Sequence, residues 1–202
     1  MSIFFEELMQ GIYATSYWEW QAMIGGVLYV IFAIKEKLIC WLFAFISSIT
    51  YIYVCTNAKL YLDAFLQAFY VIMAVVGFVN WNRAEKETHI HIWKVNRHSF
   101  NIFFTMIISL GLGYIFEKYT DQANPYLDAL TTCFSLSATY MVARKVLGNW
   151  IYWIVIDSIL AYLYFSRGLK LSSLLMIFYT IMAVKGFIEW HKIYKTQLKQ
   201  TV

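Results

Sequence analysis

Charge is what this chain has least of. Asp, Glu, Lys and Arg make up only 14% of its 202 residues, against 61% hydrophobic and 20% aromatic. A soluble domain of this length needs far more polar surface to cover its core, so that class is excluded. Proline occurs once, at Pro125, where a loop should hand over to a helix. The three cysteines, Cys40, Cys55 and Cys133, lie inside apolar runs without metal or redox spacing and read as small core residues. No G-x-x-x-x-G-K-[ST] is present, so that route to nucleotide hydrolysis is closed. Nor is there a G-x-S-x-G, an H-E-x-x-H or a pair of catalytic carboxylates within one helix, and an enzyme is not expected. His89 and His91 form an H-x-H in a loop of mixed charge, which predicts solvation rather than a metal site. Residues 1–16 lack a basic start and a small-residue cleavage site; they read as an amphipathic segment on the membrane surface. The basic residues are scattered through short loops, which argues against nucleic acid, and no cofactor is called for.

Apolar runs of membrane-spanning length are abundant. A hydrocarbon core takes about 20 such residues per helix. Runs at 17–34, 38–56, 60–81, 99–117, 125–143, 147–165 and 170–190 predict seven transmembrane helices and an all-α polytopic membrane protein.

The chain also matches itself at an offset of 109 residues, without a gap. Leu66, Phe69, Tyr70, Ile72, Met73 and Ala74 recur as Leu175, Phe178, Tyr179, Ile181, Met182 and Ala183. Val75, Gly77, Phe78 and Trp81 recur as Val184, Gly186, Phe187 and Trp190. The same shift pairs Trp41 with Trp150, Tyr53 with Tyr162, Lys35 with Arg144 and Glu19 with Asp128. Such duplication inside an apolar chain points to transporter architecture, with a site between the repeats.

Charge orients the chain. With seven helices, one side carries four cations, Lys59, Lys118, Arg167 and Lys170. The other carries eleven: Lys35, Lys37, Arg83, Lys86, Lys94, Arg97, Arg144, Lys145, Lys192, Lys195 and Lys199. The positive-inside rule then places the C-terminus in the cytoplasm and the N-terminus outside. A three-helix unit at 17–81 can recur in the same orientation at 125–190 only if the chain crosses once more between them. The run at 99–117 supplies that crossing, giving a 3+1+3 parallel repeat, with a cytoplasmic loop at 82–98 and a tail at 191–202.

Ionisable groups at membrane depth are costly and mark candidate sites. Asp157 lies mid-way along the sixth run, and Trp150, Trp153 and Asp157 share one helical face at i, i+3, i+7. Two indoles beside a carboxylate suit a flat cationic heteroaromatic ligand, by stacking, cation–π attraction and charge. Gln67 and Tyr70 share a face of the third helix; Tyr179 and Trp41 join the candidate set as repeat mates of Tyr70 and Trp150. Asn149 precedes Trp150 and is expected to cap the sixth helix or touch ligand. Glu19, Asp63 and Asp128 form an outer rim, where they could concentrate cations or simply favour helix N-termini. Lys185 and Glu189, at i, i+4, are expected to pair with each other. A seven-helix retinal protein attached through Lys185 is the alternative of another class, but the third helix offers it no deep acid.

The run from Arg144 through Asn149, Trp150 and Trp153 to Asp157 resembles the N-W-x-x-W signature of the PnuC family of bacterial vitamin transporters. In the first repeat Tyr61, Asp63, Gln67, Tyr70, Gly77 and Trp81 agree, and the resemblance covers nearly all of 17–190. It implies an inner-membrane homotrimer carrying an unphosphorylated vitamin by facilitated diffusion, with a cytoplasmic kinase trapping the product. It also implies substrate contacts at Trp150, Trp153, Asp157 and Gln67. Ala74, Asp157 and Lys185 stand where nicotinamide riboside carriers of the family tend to have asparagines. With the compact length and a carboxylate suited to a thiazolium and an aminopyrimidine, this makes thiamine the expected substrate and nicotinamide riboside the alternative.

Overall fold

The computed structural model of the chain describes residues 2–57, 61–84, 89–120 and 124–200. Among these residues there are eight helices and no strand. In chain order they are α1 (Ser2–Ala14), α2 (Tyr17–Ile34), α3 (Cys40–Asn57), α4 (Tyr61–Ala84), α5 (Val95–Tyr119), α6 (Pro125–Ala143), α7 (Asn149–Ser166) and α8 (Lys170–Gln200). Five of them, α2, α3, α4, α5 and α8, are long and apolar enough to cross a membrane. The two others of the second repeat are diluted by polar residues turned inward: Thr131, Ser135 and Thr139 in α6, Asn149 and Asp157 in α7. Lys59 and Lys86, counted above for topology, lie outside the described residues.

The repeat is literal in the backbone. Offset by 109, both ends of α3 fall on both ends of α7, and Tyr61 at the start of α4 falls on Lys170 at the start of α8. The turns leaving α2 and α6 are copies too. Lys37 N donates to Phe32 O and Glu36 N to Ala33 O; Val146 N donates to Met141 O and Lys145 N to Val142 O. This is the Schellman closure, whose pivotal residue is left-handed and usually glycine. Here Glu36 and Lys145 fill that slot, both at φ 54°.

Helices pack in sequence within each repeat, and α4 on α6 with α2 on α8 joins the two. The joint is a chain of four indoles. Trp41 meets Trp81 edge-on at 5.4 Å and 89°, and Trp150 meets Trp190 at the same 5.4 Å and 89°. Trp81 and Trp190 then contact each other across the seam at 5.9 Å. Each also reaches into the opposite repeat: Trp81 Nε1 donates to Val142 O (3.2 Å) and Trp190 Nε1 to Ala33 O (3.0 Å). These acceptors are the terminal carbonyls of α6 and α2, which already take the N–H groups of Lys145 and Glu36 in the turns that follow, so each indole adds a second donor to a helix end. Gly77 and Gly186 make room for the brace. A Cβ on Gly77 would stand 2.3 Å from the Trp41 ring, and one on Gly186 2.6 Å from Trp150. Beside the brace Lys145 pairs with Glu36, its own repeat mate, and lies over the Trp81 ring at 5.2 Å.

The linker sits on one repeat only. α5 packs on α6, with Gly113 admitting the Tyr126 ring, while Gly111 faces open space. Asn101 Nδ2 donates to Ser137 Oγ (2.7 Å) and Tyr152 OH (3.3 Å), and His98 Nδ1 lies 3.2 Å from Tyr152 OH. Their counterparts in the first repeat, Leu28 and Phe43, are apolar, and Phe43 instead stacks on Phe32 at 5.4 Å. Ahead of α5, His91 bridges to the turn after α6 through its N–H to Lys145 O and its carbonyl to Leu147 N. α1 rests against α8, where Glu7 approaches Lys170 at 3.6 Å. Two expected boundaries move. α5 begins at Val95 because its first two turns carry His98 and Asn101 into the polar seam, and α8 runs on to Gln200 rather than ending at Trp190.

Candidate solute-binding site

Asp157 lies two turns into α7 and is 5% exposed, buried among helices rather than turned to lipid. Two tyrosines reach across the same seam. Tyr179 crosses from α8 to α2, where its hydroxyl lies 2.7 Å from the position a Cβ on Gly26 would take. Tyr70 crosses from α4 to α6, where its hydroxyl faces Ser135, the repeat mate of Gly26. Both hydroxyls are within electrostatic reach of the Asp157 carboxylate. The two tyrosines therefore cross the seam at equivalent positions, and one buried acid of the second repeat lies within electrostatic reach of both. The first repeat has Ser48 at the matching place, buried but neutral. Among the described residues no cation pairs with Asp157. Lys185 lines a groove with Lys35 and Glu189.

A buried carboxylate within electrostatic reach of two phenol hydroxyls can accept hydrogen bonds and balance one positive charge on a solute. The tyrosine rings supply apolar faces for a flat group. Trp150, an end member of the four-indole brace, stands seven residues before Asp157, about 10 Å along the helix. One face of its ring is against Gly186 and its edge meets Trp190, and Trp41 stands in the same way against Gly77 and Trp81. Both indole N–H groups are buried without an acceptor. Trp153 is half-buried against the same core, and Gln67 is half-buried one turn before Tyr70.

Other candidates stand apart. Asn149 is fully buried, but Gly148 occupies the cap position; the Asn149 amide donates back to Val146 O (2.7 Å) and its Oδ1 has no partner. Its expected capping role is corrected: it ties the turn before α7. Glu19 closes a capping box with Ser16, and Asp128 is held bidentately by Arg167 at 2.8 and 3.0 Å, so both have local partners. Asp63 is exposed at the start of α4. Glu189 pairs with Lys192 rather than Lys185, because i, i+3 brings that ammonium to 3.0 Å. Sequence reading missed Ser135, Tyr51 beside Tyr179, and Tyr29, which packs on Trp41 at 5.8 Å. Asking which small residues face the repeated tyrosines would have found Ser135. Two grooves open at the far end of the brace, about 280 and 220 Å³, and neither includes Asp157, Tyr70 or Tyr179.

The comparisons with known proteins decide the class. A family model described as nicotinamide mononucleotide transporter matches residues 16–192. The chain belongs to this family. It is a family of membrane transporters, and the PnuC resemblance read from the tryptophan motif is confirmed. The nicotinamide riboside transporter PnuC of Neisseria mucosa is 28% identical over 86% of this chain and 72% of that protein. PnuC of Escherichia coli is 23% identical over 89% and 87%. The riboflavin/roseoflavin transporter RibM of Streptomyces davaonensis is 22% identical over 85% and 84%. The crystal structure of the vitamin B3 transporter PnuC superposes with a TM-score of 0.73, covering 96% of this chain and 88% of that one at 23% identity, which fixes the fold. None of these relatives is a thiamine transporter by name, so the thiamine expectation gains no support from them.

Proposed function

We propose that this chain is a multi-pass inner-membrane importer of nicotinamide riboside. The observation that carries the reading is the buried Asp157, paired with no cation among the described residues and within electrostatic reach of Tyr70 and Tyr179 at the joint between repeats. A cationic pyridinium ring held between phenol faces would find its counter-charge there. The names of the relatives favour nicotinamide riboside over the other vitamins. In this reading α2–α8 span the bilayer as three, one and three helices, with the N-terminus outside and the C-terminus cytoplasmic. The four-indole brace and the Glu36–Lys145 pair hold the cytoplasmic end shut, and the two triplets rock about Asp157 to open it. Trp153 and Gln67 line the sides, Trp150, Trp41 and Asn149 form the floor, and Glu19, Asp63 and Asp128 form the outer rim. Transport is facilitated diffusion in a homotrimer, made one-way by a cytoplasmic kinase that phosphorylates the vitamin.

Asp157 itself favours a second reading. A carboxylate also suits the thiazolium and aminopyrimidine of thiamine. Titration of the purified protein with nicotinamide riboside, thiamine and riboflavin, followed by tryptophan quenching, separates the two. Nicotinamide riboside should bind at least about tenfold tighter than the others, and Asp157→Asn should weaken it about tenfold, one charge-assisted hydrogen bond's worth. Tighter binding of thiamine would replace the first reading by the second. Unchanged affinity in Asp157→Asn would remove the acid from the site.

A further inference from the structure

The two grooves beyond the brace are repeat mates that have diverged. One lies between the ends of α8 and α2 and is mostly apolar, lined by Ile31, Ile34, Met182 and Ile193 with Lys35, Lys185 and Glu189. The other lies between the ends of α4 and α6. Matching positions carry over: Ala143, Arg144 and Asn80 of one stand for Ile34, Lys35 and Glu189 of the other. Here, however, the linker adds a wall. The backbone bridge from His91 to the turn after α6 brings His91, Trp93 and Arg97 to the rim, and Arg97 stacks over Trp93 at 4.3 Å. Arg83, Arg97, Arg144 and Lys145 all line a space of about 280 Å³. Against four cations the described residues set one carboxylate, Glu36, engaged by Lys145.

We infer that this groove is an anion site for a phosphate monoester. Three separate guanidinium groups are more than one carboxylate ligand can use. A tetrahedral dianion offers three oxygens, each able to take a forked pair of N–H donors. His91 and the Asn80 amide add further polar groups at the edge, and Arg97 is held in place by the Trp93 face rather than left mobile. Lys145 is common to the groove and to the latch with Glu36, so an anion bound here competes for the ammonium that ties the repeats together. The phosphate can arrive on a soluble phosphorylated small molecule or on a phospholipid headgroup. That the groove faces the cytoplasm rests on the orientation proposed above; that it binds phosphate does not.

The test uses the purified full chain at constant ionic strength. Inorganic phosphate is titrated by calorimetry in detergent, and nanodiscs containing phosphatidate are compared with phosphatidylcholine nanodiscs by native mass spectrometry. Saturable phosphate binding supports a soluble ligand; selective retention of phosphatidate without it supports a headgroup. In either case Arg97→Gln with Arg144→Gln should weaken binding about tenfold or more, while Lys35→Gln with Lys185→Gln in the twin groove changes it less than about twofold. Arg144→Lys, which keeps charge but not the fork, should fall between and serves if the double variant does not fold. Absence of both kinds of binding, or equal losses from both grooves, overturns the proposal. Nicotinamide riboside titration of the same variants stays near wild type, so failure here and failure of the transport reading are told apart.

Discussion

The first repeat and the second share helix ends, turns and tryptophans, yet they differ at almost every polar position in the interior. Where the second has Asp157, Ser135 and Tyr152, the first has Ser48, Gly26 and Phe43. The frame is therefore duplicated and the chemistry is not. Packing tolerates this because the indole brace and its two glycine notches rest on shape alone, which both copies retain. Under the proposed function the solute needs one counter-charge, and a second acid facing Asp157 would leave two carboxylates repelling each other in a medium of low dielectric.

Reversing one charge at the axis should break that frame most severely. Lys145→Glu sets two carboxylates together beside Trp81 and should cost about 3–5 kcal/mol, read as a large fall in the melting temperature of the detergent-solubilised protein. Because the partners occupy equivalent positions, Glu36→Lys with Lys145→Glu should recover most of the loss; no recovery would mean that the site reads more than the sign of the pair. The notches come next. Gly77→Ala and Gly186→Ala should each cost about 1–3 kcal/mol by overpacking, with Gly77→Ala the worse, since its new methyl would come nearer an indole (2.3 against 2.6 Å). An inverted order would show that the Trp41 ring moves aside more easily than Trp150. Smaller still, Trp81→Phe and Trp190→Phe each delete one hydrogen bond to the opposite repeat, about 0.6 kcal/mol and no more than about 1.7 kcal/mol. Equal losses are expected; unequal ones would show that one half carries the joint. The rim pair should matter least: Arg167→Gln loses a surface bridge worth about 0.2–1 kcal/mol and leaves uptake unchanged.

Much of this plan was open to reading from the chain. Apolar run length announced the helices, and an ungapped 109-residue echo announced their pairing, because both depend on local composition. Asp157 stood out because charge is rare at that depth. What stayed hidden depends on which faces meet. The motif that marked Trp150 as a ligand clamp could not say that Gly186 and Trp190 already press on its ring. Helical spacing put Lys185 four residues from Glu189, but rotamer and register gave Glu189 to Lys192. Ser135 drew no notice because a serine in an apolar run looks like packing until a tyrosine from another helix is seen to point at it.

Position 36 and its copy at 145 carry one more lesson. A residue lying on an approximate dyad meets its own counterpart, so a unit repeated unchanged could only set like against like there. Opposite signs at that one place let the halves attract. They also make the two halves non-interchangeable: two identical copies of either half, brought together in trans, would face each other with matching charge, and only the covalently joined, diverged pair can zip closed.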